Sequence, residues 1–105
     1  MAHFFRDHDI FICVTTSIAA FPNAKSDVLL IDGKPMASII DYMAPTATMS
    51  LFGLPALSIP CGWTTCGLPV GLQIVCRPFA EDTLLRFAFT LQQNLGFAHR
   101  WPTLN

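Results

Sequence analysis

Two apolar runs, each opened by Gly-Leu-Pro, constrain the fold of this chain more than any other feature. The first is Gly53-Leu54-Pro55-Ala56-Leu57-Ser58-Ile59-Pro60-Cys61-Gly62, and the second is Gly67-Leu68-Pro69-Val70-Gly71-Leu72-Gln73-Ile74-Val75. Both lie inside a stretch, Tyr42 to Cys76, that contains no Asp, Glu, Lys or Arg. Glycine and proline recur too often there for an uninterrupted apolar helix of about 20 residues, so no transmembrane helix is expected and buried strands explain the stretch better. Alternation puts Leu57, Ile59 and Cys61 on one face of the first strand, with the small Ala56 and Ser58 on the other, where something must pack closely. In the second, Val70, Leu72, Ile74 and Cys76 oppose Gly71, Gln73 and Val75. The connection through Gly62-Trp63-Thr64-Thr65-Cys66-Gly67 is short enough to predict an antiparallel hairpin.

The flanking segments predict a mixed α/β layer. Ile10 to Thr15 is β-branched and aromatic and reads as a buried strand closed by Pro22-Asn23. Asp27 to Ile31 leads into Asp32-Gly33, a dipeptide suited to a tight turn, so a small exposed hairpin is expected with Lys25, Asp27 and Lys34 in solvent. From Met36 to about Phe52 the spacing of Ile39, Ile40 and Met43 suits a helical turn, which Pro45 and the Thr46, Thr48 pair should interrupt. A helix opens near Glu81. Its stripe is Leu84, Ala88, Leu91 and Leu95, extended by Phe87, with Arg86, Gln92 and Gln93 toward water. Glu81 and Asp82 suit its positive end, and Gly96 its stop.

With 105 residues the chain is one domain at most, burying roughly 60 to 70% of its unfolded surface. Only 12% of its residues are charged, half the share usual in soluble domains, and the mean hydropathy is +0.49. Such a sequence reads like the interior of something larger. A formal net charge of -1 without a Lys/Arg cluster offers no footprint for nucleic acid or an anionic membrane. His3, Arg6, Asp7, His8 and Asp9 break up any signal peptide, so a cytoplasmic setting is expected, with Cys13, Cys61, Cys66 and Cys76 as free thiols.

The two runs, followed by Arg77-Pro78-Phe79-Ala80-Glu81-Asp82-Thr83-Leu84-Leu85-Arg86, resemble in order and spacing the C-terminal end of the amidase signature family. Its members often read G-L-P-A-(I/L)-S-(V/I)-P-C-G, G-L-P-V-G-L-Q and R-P-F-D-E before a Leu-Leu-Arg helix. Phe4 to Ile12 resembles the lead into a buried strand that members end with Pro-Thr. Val14-Thr15 stands there, and Ser17 and Ala19 replace further prolines. Ala80 stands where the family often has an Asp cap, a change worth about 1 kcal/mol of helix stability. Ser50 replaces a frequent Asn. Tyr42-Met43 stands near the place of an Asn-Asp pair typical of the tRNA-amidating branch, which favours the general amidase branch. The resemblance implies that residues 1–105 are a single incomplete domain, the C-terminal piece of an α/β/α fold. This piece would be part of a mixed sheet, with four to five strands covered by one long C-terminal helix. It implies splitting of carboxylic amides without metal or cofactor by a Ser-Ser-Lys group that lies upstream of the matching segments.

The residues give no independent catalytic centre. Neither Ser17, Ser26, Ser38, Ser50 nor Ser58 stands on a glycine-framed turn, and no Ser precedes Lys25 or Lys34 by three residues. Cys61 and Cys66 have ligand-like spacing, but the other cysteines fall in strands and His3, His8 and His99 near the ends, so no metal site is expected. Gln73 stands out as a long amide in an apolar strand, which must satisfy its donors and acceptors. It reads as a structural hydrogen bond to a neighbouring loop or as polar wall of the substrate cleft in a complete enzyme. Trp63 and Thr15 read likewise, as packing or pocket wall. The sequence therefore predicts part of an amidase that meets a small amide only when complete, and that self-associates through its uncovered sheet. The alternative is a truncated or degenerate, non-catalytic interaction module.

Overall fold

The second Gly-Leu-Pro run forms the middle of the sheet, because both of its edges find partners of matching register. In the computed structural model, which describes residues 1–22, 30–38 and 40–96, the order along the chain is α1 (Phe4–Asp7), β1 (Ile10–Val14), β2 (Leu30–Ile31), β3 (Lys34–Pro35), α2 (Ala44–Leu51), β4 (Ala56–Trp63), β5 (Pro69–Cys76) and α3 (Glu81–Leu95). The main sheet has the order β1-β5-β4, and β2 and β3 form a separate two-stranded sheet. Every pairing among the described residues is antiparallel. The α/β architecture, the central hairpin and the single long closing helix agree with the sequence reading.

Turn chemistry explains the hairpins. Asp32 and Gly33 both take positive φ, 49° and 72°, the backbone a two-residue turn needs to match strand twist. Lys34 is exposed as expected, whereas Lys25 and Asp27 lie outside the described residues. Between β4 and β5, the Thr64 N–H donates to the Leu68 carbonyl at 2.8 Å and the Gly67 N–H to the Thr64 carbonyl at 2.9 Å. The Thr64 hydroxyl also accepts the Leu68 N–H at 3.0 Å, so one threonine closes the loop with three hydrogen bonds.

α3 supplies the core on one face. Ile59, Ile74, Cys76, Ala80, Leu84 and Ala88 are buried together, with Ile10, Leu57, Leu72, Leu91 and Leu95 packed at the margin. The predicted stripe holds except at its flank, since Phe87 is exposed and Gln92 half-buried. The helix is rotated so that the alanine faces the sheet, and the neighbouring ring falls off the seam. Gly96 closes α3 at φ 69°, its N–H donating to the Gln92 carbonyl at 3.2 Å. Ala80 makes no side-chain cap but is itself buried in the core.

Pro45 corrects one expectation. It does not interrupt a helix but lies in the first turn of α2, where its missing N–H has no intrahelical partner to lose and its fixed φ is already helical. The turns before it are held by Asp41, whose carboxylate accepts the Ala37 and Ser38 N–H groups at 2.8 and 3.2 Å. Ile39 lies outside the described residues. Among the described residues, no helix is long and apolar enough to cross a membrane.

Candidate functional site

Directly opposite residues of an antiparallel sheet point to the same side, and this rule brings the three singled-out residues onto one face. Trp63 pairs with Pro69, Gln73 with both Cys13 and Ser58, and Thr15 continues β1 opposite Gly71, its N–H donating to the Gly71 carbonyl at 3.3 Å. All lie on the face turned away from α3. Gln73 and Thr15 are near neighbours in the middle of the sheet. Trp63 stands at the hairpin end, four positions along β5 from Gln73, beyond the bulge between Pro60 and Gly62. That separation is roughly 13 Å of strand.

The close approach that the small residues of β4 suggested occurs one strand further in. Ala56, Ser58 and Pro60 are exposed, and it is Gly71 that is tightly covered. A Cβ built there would lie 2.8 Å from Thr15 Oγ1 and 3.0 Å from Ser58 Oγ. The bare glycine lets those hydroxyls meet across the central strand at 2.7 Å. Thr15 is fixed from behind as well, because the Thr46 hydroxyl of α2 donates to its carbonyl at 2.7 Å.

Gln73 is buried, and its partner is a neighbouring strand rather than a loop. The Cys13 thiol donates to Gln73 Oε1 at 3.8 Å. Burial pushes the Cys13 pKa up, which keeps the thiol protonated and therefore a donor. Cys76, on the other face, donates to the Ala80 carbonyl at 3.4 Å. Its pKa is raised first by burial and then by Glu81. Low-pKa nucleophilic thiols require the opposite environment.

Ser58 and Cys13 carry this polar strip, yet neither stood out beforehand. The only sequence signal was register, since a β1 residue becomes a partner of Gln73 only when β1 is known to be its neighbour. Chemically, the Ser58 hydroxyl meets the Thr15 hydroxyl, and among the described residues no amine or imidazole is placed to activate it for attack. Among the described residues, no group of three or more His, Cys, Asp or Glu side chains is arranged to hold a metal ion.

A cavity of about 290 Å³ opens beside this strip, lined among others by Val14, Ser17, Ala19, Thr64, Val70 and Gly71. Its wall after β1 is shaped by two hydrogen bonds, from the Thr16 hydroxyl to the Ile18 carbonyl at 2.7 Å and from the Ser17 N–H to the Tyr42 carbonyl at 3.2 Å. Thr15, Gln73 and Trp63 do not line it.

Residues 1–85 match the family described as Amidase. The chain belongs to the Amidase family. A glutamyl-tRNA(Gln) amidotransferase subunit of Brevibacillus brevis is 40% identical over 98 residues, which are 93% of this chain and 19% of that protein. Its counterpart in Moorella thermoacetica is 38% identical over 95% of this chain and 19% of its own length. Among solved structures, a 6-aminohexanoate cyclic dimer hydrolase superposes with a TM-score of 0.78 at 27% identity, over 96% of this chain and 22% of that one. The chain thus spans about a fifth of the relatives it matches. The amidase resemblance read from the Gly-Leu-Pro runs agrees with all three comparisons.

Proposed function

We propose that residues 1–105 are one incomplete domain, the C-terminal part of a carboxylic amide hydrolase, which supplies sheet and pocket wall to Ser-Ser-Lys chemistry carried by the remaining part. The observation that carries this reading is the match along nearly the whole chain to about a fifth of much longer amidases. The pairing of Ser58 with the Thr15 hydroxyl fits a supporting role. In this reading Gln73, Thr15 and Trp63 shape the wall on the face turned from α3. Gln73 is held by Cys13, and Thr15 is fixed by Ser58 and Thr46. The ligand is a small amide, met only by the complete enzyme in the cytoplasm, without cofactor, nucleic acid or membrane. Relatives named for two different amide chemistries leave the acyl group open, while Tyr42-Met43 supports plain hydrolysis over tRNA amidation.

The test is a chimera in which this chain replaces the matching fifth of the 6-aminohexanoate cyclic dimer hydrolase. Hydrolysis of the cyclic dimer is expected to return relative to the hydrolase lacking that segment, and to fall about tenfold or more with Gln73→Leu while the chimera stays folded. A folded chimera with no activity would sink the reading. The self-associating, non-catalytic module is the second reading, favoured by the large side chains left exposed on α3, Leu85 and Phe89.

A further inference from the structure

The main sheet has two outer edges, and hydrogen-bond phase makes them unlike. On β4, the Cys76 N–H donates to the carbonyl of Pro55, directly opposite it. Alternation then turns Leu57 and Ile59 toward β5, and Ala56, Ser58 and Pro60 outward. The outward row is therefore broken by a residue with no N–H, and the bulge between Pro60 and Gly62 follows at once. Proline with its nitrogen side facing away from the ladder, next to a bulge, is how a sheet protects a terminal edge.

β1 carries none of these devices. The Thr15 N–H donates to the opposite Gly71 carbonyl, so Thr15, Cys13 and Phe11 bond inward and Ile10, Ile12 and Val14 present both N–H and C=O outward. The strand reads Ile-Phe-Ile-Cys-Val, without proline, glycine or charge. No described strand lies beyond it. The layer above it is open too. Ile12 and Val14 share the face of Leu72 and Ile74, but α3 packs chiefly over β4 and β5, and both side chains are about half exposed, at 45% and 54%. A neutral β-branched edge with an apolar surface over it is the profile of an interior strand.

We infer that β4 is the true end of the amidase sheet and that β1 is its joint. The outer edge of β1 accepts an uncharged, apolar strand from the four fifths of the amidase domain that the relatives carry beyond this match, with a second element of that part covering Ile12 and Val14. The occupant follows from the relatives' length and from the edge chemistry, and the inference rests on the partial-amidase reading above.

Amide hydrogen exchange, measured by residue on the isolated chain and on the hydrolase chimera, tests it. The Ile12 and Val14 amides are expected to slow about 100-fold or more in the chimera, while the Ala56 and Ser58 amides exchange equally fast in both. Ile12→Pro, which removes an outward donor and no donor to β5, should lower the soluble yield of the chimera at least fivefold and change that of the isolated chain far less. Protection of Ala56 and Ser58 in place of Ile12 and Val14 would overturn the assignment, as would equal exchange of Ile12 in both proteins. Concentration-dependent protection of Ile12 in the isolated chain would name a second copy as the occupant and overturn it as well. An inactive chimera with protected Ile12 would leave this inference standing and remove the catalytic reading. An active chimera with unprotected Ile12 would do the reverse.

Discussion

Gly71 shows how one missing side chain organises a face. Its neighbours are Thr15, just past the end of β1, and Ser58 of β4, and their 2.7 Å hydrogen bond passes over it. Gly71→Ala is therefore expected to destabilise the chain by about 1 to 3 kcal/mol in urea unfolding. Adding Thr15→Ala should recover part of that loss by removing the nearest obstacle, and a double variant as unstable as the sum of both singles would contradict this account. Cys76 makes a second residue-scale prediction. Its pKa lies above the ordinary thiol value of 9.0, mainly through burial, so the folded state holds its proton more tightly than the unfolded one. The resulting stability is complete below pH 9.0 and is lost as the pH rises through the elevated folded value. Urea midpoints measured from pH 7 to 10.5 should fall at the alkaline end, and more steeply in the parent than in Cys76→Ala. Equal slopes would show that another group is responsible.

At the scale of elements, the sequence exposed what depends on neighbours within one turn or one strand, and concealed what depends on packing. The Asp32-Gly33 turn, the Gly96 stop and the β4–β5 hairpin were legible because local backbone preferences determine them. Pro45 misled because the same fixed φ that breaks a helix interior suits a first turn, and only the start of α2 at Ala44 tells the two apart. The orientation of α3 was legible at Leu84 and Ala88, but not at Phe87 and Gln92, whose exposure depends on a rotation of a few tens of degrees about the helix axis. Leu84 is buried against the sheet, so Leu84→Ala should cost about 2 to 5 kcal/mol, and near-native stability would mean that α3 is not seated as described. Phe79, just before α3, is almost fully exposed with φ 63°, a region costly for a residue with a Cβ. Phe79→Gly should consequently raise thermal stability of the isolated chain by about 1 kcal/mol, and a lower midpoint would show that the ring makes a compensating contact.

For the whole molecule, exposed side chains such as Leu85 and Phe89 on α3 leave apolar surface that water disfavours. The isolated chain is expected to self-associate, and a clean monomer by light scattering at micromolar concentration would count decisively against this. It is also expected to release no ammonia from small aliphatic or aromatic amides above background, since nucleophile, proton relay and oxyanion site must be held together. Activity that survives purification and vanishes on changing one of its serines would refute that. The sequence by itself determined the α/β class, the hairpin, the closing helix and the amidase kinship, because all rest on periodicity, turn residues and motif order along the chain. Only the tertiary structure placed β1 beside β5 and so gave Gln73 its Cys13 partner and Thr15 its contact with Ser58. It alone separated the protected edge at Pro60 from the open one at Ile12. Those relations join residues some 40 to 60 positions apart, and hydrogen-bond phase across strands leaves no trace in local sequence until the register is known.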